Sequence, residues 1–191
     1  VLATGATDRL IPLPGWTLPG VFTLGAAQIA LKAQAATIGA HPVLIGTGPL
    51  LLLLAYQYAK AGTTPAMVLD VAPFTARLGA LPALVASRPG VLAKGAYYMA
   101  QLRRLKVPVE TGATPLAIHG SDRVEGVSVR LASGRTVEIA CDAAGLGYGL
   151  RPETQLADLA GARLTFAAGA QQWVPETDGL GRTTARGVYV A

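Results

Sequence analysis

Residues 42–70, PVLIGTGPLLLLLAYQYAKAGTTPAMVLD, change character three times within a short span. Val43-Leu44-Ile45 is an apolar run without alternation, the pattern of a strand buried on both faces of a parallel sheet. Gly46-Thr47-Gly48 turns the chain, and the apolar segment from Leu50 to Lys60 has the length of a helix. Gly62 stops that helix, and Ala66 to Leu69 supply a second strand that ends on Asp70. A strand, a glycine turn, a helix and a second strand tipped by an acid compose a βαβ unit of the dinucleotide-binding kind.

Each residue type in that unit has a physical task. Gly46 allows a tight turn out of the strand, and Gly48 leaves room for a pyrophosphate beside the main chain. The first turn of the helix offers unpaired N–H groups and the positive end of its dipole. Pro49 suits a helix start because its missing N–H costs nothing there. Gly46, Thr47, Gly48 and Pro49 are therefore the candidate phosphate cradle. Asp70 is the candidate ribose ligand, accepting from the two hydroxyls and repelling a 2′-phosphate. One position departs from the pattern: Leu51 stands where a third small residue normally lets the helix close on the strand. A leucine there is expected to push the helix outward or rotate it, weakening the phosphate grip. The bland alternative is a βαβ unit whose glycines serve only the turn.

The remaining composition narrows the field. Hydrophobic residues make up 51% of the 191, charged ones only 14%, and mean hydropathy is +0.42, enough for a well-filled α/β core. The formal charge of +5 comes from scattered basic residues. The densest group, Arg103, Arg104 and Lys106, ends a helical stretch, where cations complement the dipole. No face interleaves aromatic with basic residues, so nucleic acid is not an expected partner. Cys141 is the only cysteine, which excludes an internal disulfide, a CxxC redox pair and a thiolate metal cluster. His41 and His119 lack ligand spacing and read as solvated loop ends, so no metal site is expected. There is no basic n-region before an apolar stretch, and the apolar run Pro49 to Tyr56 is too short to span a bilayer. A cytoplasmic protein is expected, with peripheral membrane association of its parent complex left open.

Along the chain, Val1 to Ala6 reads as a strand entering a glycine turn, followed by a proline- and glycine-rich connector from Pro12 to Gly20. Val21 to Thr23 is a short strand at best. Leu24 to Ala36 reads as an alanine-rich helix stopped by Gly39. After Asp70 the pattern is mostly helical to Lys106, broken at Pro82 and at Pro89-Gly90. Leu92, Tyr98, Met99 and Leu102 make a stripe of the kind that faces a core. Val107 to Thr111 is a further strand. Thr114–His119, Val124–Leu131 and Thr136–Ala140 alternate apolar and polar residues, with a hairpin turn at residues 132–135. They predict a three-stranded antiparallel meander beside the parallel sheet. Cys141 to Leu146 is an apolar strand running into Gly147-Tyr148-Gly149. A connector with a short helix at Thr154–Leu159 leads to Trp173-Val174-Pro175, and Gly187–Ala191 is one more strand.

Taken together, Ala3-Thr4-Gly5, the βαβ unit, the meander, Gly147-Tyr148-Gly149 with Arg151-Pro152, and Gly187-Val188-Tyr189-Val190-Ala191 resemble the pyridine-nucleotide-disulfide oxidoreductases. These are flavoproteins that bind two dinucleotides, and the likeness spans nearly the whole chain. The wording LATGATDRLIPLPGWTLPGVFT, IGTGPLLLLLA and LGYGLRPETQL is similar to the large subunits of opine oxidase, hydrogen cyanide synthase and dye-linked proline dehydrogenase complexes. The resemblance implies a Rossmann-like NAD(P)-binding domain, residues 41–147. A crossover segment from a truncated FAD domain would occupy residues 1–40, and a return segment towards that domain residues 148–191. It also implies that the FAD fingerprint and the Gly-Asp that hold flavin phosphates lie outside the chain. FAD is then expected in the parent protein but not on this chain alone. The family's redox cysteine pair has no counterpart, so dithiol exchange is not expected.

The function expected from this reading is an NAD or adenine-nucleotide domain of an FAD-dependent amine, imino-acid or opine dehydrogenase subunit. Its partners would be the rest of its FAD domain and a second flavoprotein subunit, and a homo-oligomer is compatible with it. Two alternatives stand beside it: an NADH-dependent flavoprotein reductase domain, and a vestigial Rossmann domain used for subunit contacts. For the former, Asp70 favours NADH over NADPH, because Arg77 is solitary and seven residues on. No catalytic acid, base or nucleophile can be named. Glu153, Asp158, Glu176 and Asp178 occur singly in polar connectors, where a solvated carboxylate is the ordinary case.

Overall fold

The computed structural model describes residues 1–73, 75, 79 and 89–191. The expected break at Pro82 and the position of Arg77 lie outside the described residues. The described chain forms two compact units, Leu10–Gly149 and Val1–Arg9 with Leu150–Ala191. In chain order the strands are β1 (Ala6–Asp8), β2 (Val21–Thr23), β3 (Pro42–Gly46), β4 (Met67–Asp70), β5 (Val109–Thr111) and β6 (Thr114–His119). They continue with β7 (Gly126–Arg130), β8 (Thr136–Ala140), β9 (Ala143–Gly147), β10 (Leu150–Pro152), β11 (Leu164–Ala167) and β12 (Gln172–Pro175). The helices are α1 (Leu24–Gln34), α2 (Pro49–Lys60), α3 (Pro89–Arg104) and α4 (Gln155–Leu159).

The larger unit is an α/β domain around a five-stranded sheet of order β2-β9-β3-β4-β5, parallel throughout. Every residue of β3 and β9 is buried, which explains why both read as unbroken apolar runs rather than alternating ones. On one face, Leu24 and Ala27 of α1, Leu51, Leu54, Ala55 and Tyr58 of α2 and Leu102 of α3 pack on Leu44 and Val68. On the other, Ile118, Val127 and Val129 pack on Val43, Ile45, Leu69, Ala144 and Leu146. The expected meander is therefore present as a separate sheet, β6-β7-β8, and it covers one face of the parallel sheet instead of extending its edge. Of the predicted stripe on α3, Leu102 is fully buried while Leu92 is 36% exposed, so the core takes only its last turn.

One detail corrects the sequence reading. Helix α1 ends at Gln34, two residues short of the expected Ala36, because Ala35 adopts the left-handed conformation (φ 52°) and its N–H returns to the carbonyl of Ala30. That is a glycine's usual task, so nothing in the residue types announces it. Helix α1 lies in the larger unit. Thr23 opens it, its hydroxyl accepting the N–H of Ala26 at 3.0 Å. The Tyr58 hydroxyl ties α2 to its surroundings, donating to the Ala27 carbonyl (3.1 Å) and accepting from the N–H of Ile38 (3.2 Å).

The smaller unit pairs β1 with β10 and β11 with β12, both antiparallel. The second hairpin sits in what reads as a connector. Its turn places Gln171 at φ 51°, a left-handed residue that is not glycine, and the flanking alanines hide the alternation. At the ends, single bridges join Leu2 to Val190 and Arg182 to Tyr189 where longer strands are expected. Among the described residues no helix is long and apolar enough to cross a membrane.

Candidate functional site

The site is built where β3 ends. In register, Gly46 stands opposite Asp70 of β4 on one side and Gly147 of β9 on the other. Sequence order runs from β3 outward to β4 and β5, while β9 and β2 lie on the opposite side. The carboxyl end of β3 is thus the point where the order reverses, and open parallel sheets have their crevice there. Of the five sequence-derived candidates, Gly46, Thr47, Gly48 and Pro49 are contiguous at this crevice, and Asp70 ends the adjacent strand.

The two glycines of the turn have different work. A β-carbon on Gly46 would run into the carbonyl oxygen of Gly147 and lie 2.8 Å from its carbonyl carbon. Gly46 is therefore a sheet-packing glycine. Thr47 reinforces the same junction, its N–H donating to the Gly147 carbonyl at 3.0 Å. Gly48 has φ +89°, and a β-carbon there would meet nothing within 4 Å. It turns the chain into α2 and leaves open space in front of the helix. No side chain caps that helix, and proline stands in its first turn. Helix geometry leaves the N–H groups of Gly48, Leu50 and Leu51 without intrahelical partners. Because the Thr47 amide is spent inside the sheet, these are the amides at the start of α2 that helix geometry leaves to other partners.

Leu51 is fully buried among Leu24, Ala27, Leu44 and Leu54. Its side chain belongs to the helix–sheet core beneath α2, filling the volume that a small residue would leave. Asp70 is 5% exposed. Its Oδ1 accepts the N–H of Ala72 at 2.9 Å, and its main-chain carbonyl accepts the N–H of Gly112 at 2.7 Å. The N–H of Val71 in turn donates to the Gly46 carbonyl at 2.9 Å, so the acid and the glycine turn are held as one piece.

Two further glycines belong to the same crevice. A β-carbon on Gly147 would meet Leu24 Cγ at 2.8 Å, whereas Gly149, at φ +97°, borders open space. The signal was available, since Gly147-Tyr148-Gly149 repeats the spacing of Gly46-Thr47-Gly48. Only the parallel pairing of β3 with β9 puts the two turns side by side. Tyr148 is half-buried, and desolvation raises its phenol above the usual tyrosine range.

Elsewhere, the isolated carboxylates build turns. Asp178 accepts the N–H groups of Leu180 (2.8 Å) and Arg182 (3.0 Å), and these donors, Arg182 first, hold it below the usual carboxylate range. Glu176 pairs with Arg163 at 3.3 Å. His119 is not simply solvated: its Nε2 bonds the Ser128 hydroxyl, which donates to Glu138 at 3.0 Å. The three side chains share one face of the meander, a cross-strand cluster that the alternating pattern contained but did not single out. Among the described residues no group of three or more His, Cys, Asp and Glu gathers as metal ligands do.

Cys141 is buried, and burial, with the Asp142 carboxylate second, pushes its thiol up to about 11. The thiolate fraction near neutrality is then roughly a hundredfold below that of an ordinary cysteine. Native protein at pH 7.5 is expected to resist iodoacetamide while protein in urea alkylates readily, as mass spectrometry would show. Rapid native labelling would contradict the buried, unreactive role.

A family profile described as pyridine nucleotide-disulphide oxidoreductase matches residues 1–191. In sequence the chain is 45% identical over 194 residues to an opine oxidase subunit of Agrobacterium tumefaciens (strain Ach5), covering 100% of this chain and 38% of that protein. It is 30% identical over 176 residues to hydrogen cyanide synthase subunit HcnB of Pseudomonas aeruginosa, covering 87% of this chain and 37% of that one. Both relatives are named as subunits, and the chain spans well under half of either. In structure it superposes on the thioredoxin reductase of T. acidophilum with a TM-score of 0.67 at 18% identity, over 99% of this chain and 55% of that one. That likeness concerns the fold.

Proposed function

The chain belongs to the pyridine nucleotide-disulphide oxidoreductase family, and from that premise we propose that Leu10–Gly149 holds the adenosine and phosphate part of NAD or a related adenine nucleotide. The parent protein would be the subunit of an FAD-dependent enzyme oxidising amine, imino-acid or opine substrates, completed by the rest of its flavin domain and a second flavoprotein subunit. The observation that carries the reading is the open space at Gly48 in front of α2, with Asp70 in register beside Gly46. The amides of Gly48, Leu50 and Leu51 and the helix dipole would receive phosphate. The Asp70 carboxylate would accept from the ribose hydroxyls and repel a phosphate at the 2′ position. A bound NAD would supply hydride chemistry, while Gly48, Leu50, Leu51 and Asp70 would hold its phosphates and adenosine ribose.

Calorimetric titration tests this directly. ADP is expected to bind at least tenfold more tightly than 2′-phospho-ADP, a difference of about 1.4 kcal/mol. Asp70→Asn keeps the acceptor for Ala72 but removes the charge, and should bring the two ligands within about threefold of each other. No heat from ADP, NAD or 2′-phospho-ADP with the unaltered chain would defeat the proposal.

A second reading, a Rossmann unit retained for subunit contacts, draws support from Ile29 and Phe22, which are 64% and 40% exposed. It predicts self-association or subunit capture that ADP leaves unchanged and that Ile29→Lys abolishes.

A further inference from the structure

The smaller unit contains a concave space of about 490 Å³, within the range of small-molecule sites. Two guanidinium groups, Arg9 and Arg151, line it together with the indole of Trp173 and the side chain of Leu164. The arginines are held in place by neutral partners. Arg9 donates to the side-chain carbonyl of Gln172 at 2.8 Å and to the main-chain carbonyl of Ala170 at 3.2 Å. Arg151 donates through Nε to the hydroxyl of Thr7 at 3.2 Å. Among the described residues the ion pairs of arginine are made by Arg163 and Arg182, and neither cavity arginine has a carboxylate within that distance. Glu153 also lines the space, but one of its oxygens accepts the N–H of Gln155 at 3.0 Å.

The aromatic wall is equally fixed. Trp173 packs edge-on against Phe166, with ring centroids 5.4 Å apart, across the β11–β12 hairpin. It nevertheless stays 58% exposed, so one part of a large apolar ring remains available beside two positive charges. Guanidinium donors held by other bonds lose little further freedom when they meet a carboxylate: Arg151, bonded through Nε, keeps its Nη1 and Nη2 hydrogens for the two oxygens, while Arg9, whose Nη2 makes both of its bonds, offers Nη1 and its charge. An indole next to them offers a flat surface for the apolar portion of the same molecule.

We propose that this cavity is a binding site for a small organic carboxylate, its anionic group on Arg9 and Arg151 and its flat or apolar portion against Trp173 and Leu164. The site is separate from the crevice at Gly48 and does not depend on the nucleotide reading.

Trp173 reports on its own occupancy. In the full chain carrying Trp16→Phe, the remaining indole fluorescence is Trp173, and benzoate is the probe. Benzoate is expected to change that fluorescence saturably, and benzamide, the same shape without the charge, to bind at least tenfold more weakly. Arg151→Gln should weaken benzoate at least tenfold. Arg151→Lys, which keeps the charge but not the parallel N–H pair, should weaken benzoate less than Arg151→Gln does, and Arg123→Gln, an exposed arginine of the other unit, should change nothing. Equal binding of benzoate and benzamide would overturn the proposal, as would a response without saturation. Equal losses from the glutamine and lysine variants at Arg151, or a loss from Arg123→Gln, would do the same.

Discussion

Gly46→Ala is expected to destabilise the larger unit by at least 3 kcal/mol, seen as a large fall in the urea midpoint together with loss of near-UV dichroism. The added methyl has nowhere to go, because it meets the main chain of Gly147 on the neighbouring strand. Backbone cannot step aside as the end of a flexible side chain can. Relief requires β3 and β9 to part at their carboxyl ends, and that breaks the 3.0 Å bond from the Thr47 N–H to the Gly147 carbonyl. A buried amide left without a partner adds about 1–3 kcal/mol to the steric cost. Gly48→Ala is the informative contrast. Its β-carbon enters open space, so the expense is confined to holding alanine at φ +89°, ψ −178°, a conformation that essentially only glycine adopts, about 1–3 kcal/mol. The fold should survive, while the methyl occupies the open space in front of α2 and ADP affinity falls at least tenfold. If Gly46→Ala folds normally, the close contact between the two strands is not what its glycine is for.

Leu51→Gly is expected to cost about 3–6 kcal/mol and to leave nucleotide affinity unimproved in whatever protein remains folded. By pattern alone this substitution restores the third small residue of the fingerprint. In the fold it removes a fully buried side chain from the cluster formed with Leu24, Ala27, Leu44 and Leu54. The cost combines lost apolar burial, the cavity left behind and the poor helix propensity of glycine. Leu51→Ala, without the backbone effect, should cost about 2–5 kcal/mol. A Leu51→Gly protein that is as stable as the parent and binds ADP more tightly would show that Leu51 obstructs the start of α2 instead of filling the core beneath it.

These two positions mark the division between residue pattern and packing. The residue types around Pro42–Asp70 were sufficient to specify a strand, a helix and a second strand in parallel. Apolar runs of strand length, a glycine turn and a proline at a helix start have few other physical uses. The same holds for the alternation that places β6, β7 and β8 in a meander. The α1 stop at Ala35 and the hairpin turn at Gln171 were not legible, since both use a left-handed backbone on residues that carry a side chain. Their cost is met by bonds to partners that exist only once the chain has folded.

The candidate site divides in the same way. Its contiguous half, Gly46 to Pro49, could be read as a phosphate cradle because neighbours in sequence set a local turn. Asp70 could be assigned to it because a βαβ unit has one short way back to the adjacent position in the sheet. What packing alone decided is that the two glycines of the turn are not equivalent, one excluded from carrying a side chain by the strand beside it and the other facing empty space. It alone also decided that Leu51 points into the core, and that Gly147 and Gly149 border the same crevice. Those facts depend on which strand lies next to β3, and contacts between segments distant in the chain follow from burying apolar surface on both faces of a sheet, not from any local preference of the residues involved.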